Sequence, residues 1–243
     1  MKKVFALLLA ALLLIALSAC GKDDPAVKGE GVMTNEEYDA AENLTEVTIE
    51  AYVQAKQGLK DGKTSLYLQD PDGAYFVYNV ACDDAEYAKL EAGQKVKVTG
   101  KKATWNGEIE ITDAKLEILK GSYTATPLDA TGLLGDPAII DHQNEHVLLK
   151  GLTVVGSKGK DGAGSAFLYN WDGTGAEGDD LYFNASINGK AYAFTVETDL
   201  CPADSEVYQA VKNLQIGDTI DLDCYLFWYE GLNPHVIGVT VAQ

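Results

Sequence analysis

Two histidines near the middle of the chain have a spacing that metal sites use. His142 and His146 lie four residues apart, beside the carboxylates of Asp141 and Glu145, and on a helix this spacing places two imidazoles on one face. The segment leads into a predicted strand, however, where residues four apart share a side but lie far from each other. We therefore predict no metal site here and keep zinc as the alternative.

A glycine-rich loop carries a second group of possible metal ligands. Its carboxylates are Asp172, Glu177, Asp179 and Asp180, and flexible loops rich in oxygen ligands suit calcium. The spacing does not match the twelve-residue EF-hand loop, and acidic glycine-rich turns commonly serve as soluble hairpin ends. Calcium stays an alternative, and the prediction is again that no metal is bound.

The patterns that mark nucleophilic catalysis do not occur in this sequence. It has no Gly-x-Ser-x-Gly elbow, and no cysteine has a recognisable histidine partner. Cys82, Cys201 and Cys224 are also too far apart in sequence for a zinc knuckle or redox motif. We predict that the protein is not an enzyme and has no cofactor. A disulfide between Cys201 and Cys224 is expected, with three reduced thiols as the alternative.

The charge of the chain is strongly negative. Its formal net charge is −18, and all 19 basic residues are lysines. Because arginine is the side chain preferred for bidentate contacts to phosphate and guanine, this composition argues against nucleic acid as a partner. Residues 46–120 carry 10 lysines against 13 acids, and residues 121–243 carry 5 against 17. Only the first of these halves is therefore expected to meet a polyanion.

The amino terminus has the form of an export signal. Lys2 and Lys3 precede an apolar run that is too short to span a bilayer, for which about 20 residues are needed. The run ends in Leu17-Ser18-Ala19-Cys20, which resembles the lipobox of bacterial lipoproteins. The resemblance implies cleavage before Cys20, a lipid on that cysteine and an extracytoplasmic protein anchored to the bacterial cell membrane. Residues 1–19 would be the signal peptide, and residues 20–33 a flexible tether.

The capping box Thr34-x-x-Glu37 predicts a short helix. After this helix the sequence contains an internal repeat, in which the same segments occur twice in the same order. Six pairs of segments match: 47–51 with 147–151, 61–70 with 161–170, 74–77 with 191–194, 82–87 with 201–208, 90–98 with 214–222, and Trp105 with Trp228. Each copy predicts three strands, a short helix and two further strands. In the second copy, residues 172–180 are expected to join strands two and three.

This order of elements is that of the five-stranded OB-fold. The segment Gly93–Gly100 followed by Trp105–Ile111 resembles the ending of OB domains in bacterial nucleases and anticodon-binding modules. We therefore predict an all-β protein with short helices and two tandem OB-fold-like barrels. The expected domains are residues 34–120 and 146–243, joined by a linker at residues 121–145.

OB-folds bind ligands on strands two and three, flanked by the loops that join strands one to two and four to five. In the first copy this rule selects aromatic, amide and lysine side chains that could stack and bond bases or sugar rings. They are Tyr67, Gln69, Tyr75, Tyr78, Lys101, Lys102 and Trp105. The alternative is that they form core and solvated surface. Trp105 is predicted to be an exposed stacking platform, and Trp228 a packed ring.

The function predicted from these features is non-catalytic binding of a glycan, peptide or envelope component through one OB-fold face of a lipid-anchored protein. The alternative is extracellular binding of single-stranded nucleic acid by the first OB domain, as an accessory to a surface nuclease. Fold does not decide between them, because one fold hosts many functions.

The lipid anchor can be tested at its attachment residue. Cys20→Ala removes the thiol that would carry the lipid, so the protein is expected to leave the membrane fraction or to accumulate as precursor. Partition between detergent and aqueous phases measures this. Membrane retention equal to that of the unchanged protein would contradict the lipoprotein prediction.

Overall fold

The computed structural model describes residues 24–160, 162 and 164–242. Cys20 and the predicted signal peptide lie outside these residues. None of the described helices is long and apolar enough to cross a membrane.

The first helix, α1, spans Asn35–Ala40 and confirms the predicted capping box. The Thr34 hydroxyl accepts a hydrogen bond from the backbone N–H of Glu37, and the Glu37 carboxylate accepts one from the N–H of Thr34. These two bonds satisfy donors that a helix start leaves open. The helix packs Tyr38 into the core of the first barrel, against the ring of Tyr75.

The first barrel closes in the strand order β1-β2-β3-β5-β4. Its elements are β1 (Glu46–Lys56), β2 (Lys63–Gln69), β3 (Ala74–Ala81), helix α2 (Asp84–Tyr87), β4 (Gln94–Trp105) and β5 (Glu108–Ser122). Strand β1 pairs antiparallel with both β2 and β4, and β3 pairs parallel with β5. A short helix between strands three and four completes the OB-fold order, which confirms the predicted fold.

The second barrel has the same order of strand pairing as the first. Short strand β6 (Leu128–Asp129) and two 3₁₀ turns (Thr131–Leu133, Pro137–His142) precede β7 (His146–Val155), β8 (Ser157–Lys158), β9 (Gly164–Ser165), β10 (Leu168–Tyr169), β11 (Leu181–Ile187), β12 (Lys190–Val196), α3 (Glu206–Lys212), β13 (Thr219–Tyr225) and β14 (His235–Val241). Strand β7 pairs with both β11 and β13, and β12 pairs parallel with β14. The closed barrel is therefore β7-β11-β12-β14-β13.

The second strand of this barrel differs from the prediction. Residues 161–170 were expected to form it, but in their described part they form only the short strands β9 and β10, and β11 takes the place. In β11, the alternate residues Leu181, Phe183 and Ala185 are buried in the core. The alignment of residues 161–170 with residues 61–70 rested on an Asp-Gly pair that both segments share. The loop at residues 172–180 thus precedes strand two. Strands two and three meet at the tight turn Asn188-Gly189, both with positive φ.

Two segments expected to connect or tether the barrels pack against them. Residues 27–33 lie on the first barrel, where the Lys28 ammonium pairs with the buried Asp70 carboxylate and the N–H of Met33 donates to the Thr48 carbonyl at 2.9 Å. In the linker, Ala130 and Ile139 are buried in the core of the second barrel. Apolar and ionic contacts hold these segments, although the polar, glycine-rich sequence of residues 20–33 predicted a flexible tether.

The predicted disulfide is wrong. Within the described part of the chain, Cys82, Cys201 and Cys224 are all free, buried thiols. Cys201 and Cys224 both lie in the second core, and the Cys201 sulfur is 3.7 Å from the Val236 carbonyl oxygen. Burial raises the pKa of Cys201 to about 11, which disfavours the reactive thiolate.

The two barrels meet through an aromatic cluster. Tyr67 and Phe76 of the first barrel are buried with Tyr225 and Phe227 of the second. The rings of Tyr67 and Tyr225 stack with their centroids 4.5 Å apart. The interface is therefore packed like a domain core.

A buried carboxyl, Glu108, completes this interface. Its Oε2 accepts hydrogen bonds from the backbone N–H of Trp228 at 2.9 Å and from the Gln143 amide at 3.0 Å. Its Oε1 is buried and has no hydrogen-bond partner among the described residues. Burial raises the pKa of Glu108 to about 8. The protonated form is therefore favoured in the folded protein at neutral pH.

This raised pKa predicts how stability depends on pH. A group whose pKa is higher in the folded state stabilises fully below its unfolded-state value, and this contribution is lost as the pH rises through the folded-state value. Between about pH 6 and 9 the unfolding free energy should fall by roughly 2 to 3 kcal/mol on account of Glu108. Urea unfolding at several pH values measures this.

Glu108→Gln should flatten the decline, because glutamine does not ionise. Glu117→Gln, at an exposed position of the same strand, is the matched control and should leave the decline in place. A decline of equal size in all three proteins would contradict the role of Glu108.

Candidate functional site: the cleft between the barrels

An open cleft of about 900 Å³ lies where the two barrels meet, which is within the range usual for ligand sites. Both barrels contribute to its walls. The aromatic members are Phe76, Tyr78, Trp105, Trp171, Tyr182, Phe227 and Tyr229. The carboxylates are Glu110, Glu197, Asp199 and Glu230, and the other polar side chains include Thr195, Asn233 and His235.

Two rings at the rim of the cleft form an exposed pair. The side chains of Trp105 and Tyr229 are 51% and 45% exposed, and their ring centroids lie 5.1 Å apart at an interplanar angle of 49°. Trp105 ends β4, and the turn Asn106-Gly107 after it has positive φ at both residues. The N–H of Glu230 donates to the Asn106 carbonyl at 2.7 Å, which fixes the two hairpin tips side by side.

The structure confirms the predicted positions of the two aligned tryptophans. Trp105 is half exposed, whereas Trp228 is 9% exposed and belongs to the core of the second barrel. Large exposed aromatic rings gathered at one place are uncommon on a soluble surface and mark binding sites.

The seven predicted binding residues are not all brought together. Tyr78 and Trp105 line the cleft. Tyr67 and Gln69 lie at the contact between barrels, where the Gln69 amide oxygen accepts from the N–H of His146 at 3.0 Å. These two are on the predicted face, but the second barrel covers it.

The other three lie away from the cleft. Tyr75 points into the first core, as alternation along β3 requires. Lys102 is buried and its ammonium donates to the Tyr38 carbonyl at 2.9 Å and the Asp39 carbonyl at 2.7 Å. Lys101 is on the surface, with its ammonium 3.7 Å from the Asp113 carboxylate.

At the inner end of the cleft, His235 is held by aromatic neighbours. Its Nδ1 and the Tyr67 hydroxyl are 2.6 Å apart, and its ring stacks on Phe227 at a centroid distance of 4.1 Å. Burial lowers the pKa of His235 to about 3, so the imidazole is neutral near physiological pH. The ring adds a polar group to the cleft without adding charge.

Glu197 lies beside this histidine, immediately after β12. Its Oε2 accepts a hydrogen bond from the Gln57 amide at 2.6 Å and is 3.4 Å from His235 Nδ1. Burial, reinforced by the nearby charges of Asp180 and Asp199, raises the pKa of Glu197 to about 7. Part of the Glu197 population is therefore ionised at neutral pH.

The polar groups first considered for metal binding have partners within the chain. His146 pairs with Asp223, and His142 Nδ1 is 3.2 Å from the Glu145 carboxylate. The Asp172 carboxylate accepts from the Thr174 hydroxyl and pairs with Lys160. Among residues 24–160, 162 and 164–242, no three histidine, cysteine or acidic side chains are grouped to hold a metal ion.

Most cleft residues were not predicted from the sequence. Tyr229 and Glu230 follow Trp228 in a strand-joining turn, so the repeat could have indicated them as the counterpart of the Trp105 hairpin. For Glu110, Trp171 and Glu197 the sequence carries no such signal. Each lies in a different segment, and only the docking of the barrels brings them together.

No protein-family profile and no curated protein sequence matches this chain. The chain is similar to several solved structures, each at low identity. The OB domain of MM0293 from Methanosarcina mazei is 17% identical with a TM-score of 0.29, over 35% of this chain and 83% of that one. Asparaginyl-tRNA synthetase from Pyrococcus horikoshii is 18% identical with a TM-score of 0.28, over 40% of this chain and 25% of that one.

A murine DNA-binding protein bound to double-stranded DNA is 11% identical with a TM-score of 0.36, over 81% of this chain and 96% of that one. This similarity corrects the argument from charge against nucleic acid as a partner. The absence of arginine does not exclude phosphate contacts through lysine and backbone N–H groups.

The different surroundings of the two tryptophans predict different stability effects. Trp228→Ala should lower the unfolding free energy by about 3 to 5 kcal/mol because it empties a packed core position. Trp105→Ala should lower it by less than about 1 kcal/mol, as is usual at exposed positions. Chemical unfolding of both variants measures these values, and a reversed order would contradict the assignment of platform and packed ring.

Proposed function

We propose that this protein is a lipid-anchored extracytoplasmic binding protein that holds a saccharide, without catalysis, in the cleft between its two OB-fold barrels. The observation that carries the proposal is the exposed pair of Trp105 and Tyr229 at the rim of a cleft whose walls hold carboxylates and amides.

The chemistry of the cleft matches that of a sugar chain. Apolar faces of sugar rings pack on aromatic rings, as bases do. Sugar hydroxyls donate to carboxylates and accept from amides, and the cleft offers both in Glu197 and Asn233. Because the walls come from two barrels joined by a packed interface, these groups are positioned before the ligand arrives, which reduces the entropy cost of binding.

The amino-terminal segment supports the anchored location. The lipobox-like sequence ends at Cys20, and the Lys28–Asp70 ion pair lies only a few residues further on. A lipid on Cys20 would thus hold the first barrel close to the membrane. The proposal that the protein does not catalyse a reaction rests on the absence of a nucleophile motif from the sequence.

Binding can be tested on the mature, lipidated chain in detergent. Neutral and charged oligosaccharides, single-stranded DNA and double-stranded DNA are titrated separately while tryptophan fluorescence is recorded. A saccharide is expected to bind, and Trp105→Ala should weaken binding by about 1 to 3 kcal/mol through loss of stacking.

Tyr192→Ala, a partly exposed ring outside the cleft, is the control and should leave affinity unchanged. Binding of DNA but of no saccharide would overturn the proposal in favour of nucleic acid. Saccharide binding that is insensitive to Trp105→Ala would place the site elsewhere.

A further inference from the structure

The cleft contains a buried carboxylate that has no partner. Glu110, on β5, is 7% exposed, and no hydrogen bond or ion pair to it is found in the described part of the chain. Its oxygens are nevertheless not among the fully enclosed unpartnered atoms, and the residue lines the cleft. The carboxylate is therefore directed into the cleft.

The surroundings of Glu110 leave its charge uncompensated. No described residue that lines the cleft is a lysine, and the nearby imidazole of His235 is neutral. Two lysines that contact residues of the cleft wall are already paired: Lys60 with Asp199, and Lys160, which lies over the Trp171 ring, with Asp172. Burying a carboxylate without a partner costs free energy, and this cost appears as a raised pKa for Glu110, caused by burial.

A cation in the cleft would offset that cost. It would meet the carboxylate of Glu110 from the first barrel and that of Glu197 from the second. The faces of Trp105 and Tyr229 at the rim would also attract it, since aromatic faces carry partial negative charge. A bare metal ion is a poor fit, because the described residues offer no cluster of three ligands.

We propose, building on the saccharide-binding function above, that the bound saccharide carries a free amino group, whose ammonium is held in the cleft by the carboxylates of Glu110 and Glu197. The stacking rings hold the sugar chain, and the carboxylates select its charge. An acetylated amino group carries no charge and would leave the Glu110 carboxylate without a charged partner.

The test compares three oligomers of equal length with the full mature protein: glucosamine, N-acetylglucosamine and glucose. The glucosamine oligomer is expected to bind about tenfold more tightly than the other two, the effect of one charged hydrogen bond. Its affinity should also fall with added salt, whereas the affinity of the neutral oligomers should not.

Glu110→Gln should remove this preference, measured as the ratio of the affinities for the glucosamine and glucose oligomers. Glu197→Gln is a second variant that should reduce the preference, and Glu117→Gln is the control outside the cleft. Equal binding of the three oligomers, or tighter binding of the acetylated one, would overturn the amino-group proposal while the saccharide function stands. Binding of none of them would overturn the saccharide function itself.

A pH series separates the role of Glu197. With a trimethylated amino oligomer, whose positive charge does not titrate, affinity should rise as the pH increases through about 7, where Glu197 ionises. The titratable groups near Glu197 are Asp180, Asp199, Lys60, neutral His235, Tyr67, Tyr182 and Cys201. Glu197→Gln should reduce this rise, and an unchanged rise in that variant would show that Glu197 does not hold the ammonium.

Discussion

The stacking of Tyr67 on Tyr225 is the contact on which the rest of the structure depends. It joins two closed barrels, which also contact each other through the hydrogen bond from the Gly58 N–H to the Asp199 carbonyl at 2.7 Å. The cleft lies beside this contact, and Phe76 and Phe227 of the aromatic cluster are among its lining residues. Because the buried rings fix the angle between the barrels, the hairpin tips that carry Trp105 and Tyr229 come within ring contact. The geometry of the site is thus a consequence of aromatic packing along the cleft.

The linker takes part in this arrangement. The Gln143 amide donates to the Gly107 carbonyl at 3.0 Å, and the Asn144 amide donates to the Ile109 carbonyl at 3.2 Å. The N–H of Asn144 donates to the Leu226 carbonyl of the second barrel at 2.8 Å. Residues between the domains therefore bond both hairpins, and relative motion of the barrels must break these bonds together with the aromatic cluster.

Two carboxyl groups near the interface between the barrels, those of Glu108 and Glu110, have different roles. Glu108 is enclosed and accepts hydrogen bonds from Trp228 and Gln143. Its protonated form therefore stabilises the folded protein. Glu110, two residues along the same strand, faces the cleft without a partner. A polar group without a hydrogen-bond partner at an open site lowers the stability of the folded protein, and it gains a partner when a ligand binds. Lower stability in favour of binding is expected at functional positions.

The sequence by itself determined the two OB-folds, because alternating apolar residues and the order of strands and helix are local patterns that recur in both copies. It also located α1 through its capping box and distinguished exposed Trp105 from packed Trp228. The sequence repeat placed the second strand of the second barrel at the wrong residues. The alignment followed a shared Asp-Gly pair and not the alternating apolar residues of 181–187, which form the strand. Only the tertiary structure decided the site. Tyr67 and Gln69 belong to an interface that no single repeat contains, and Glu110 and Glu197 approach one cleft because aromatic side chains from distant segments exclude water together.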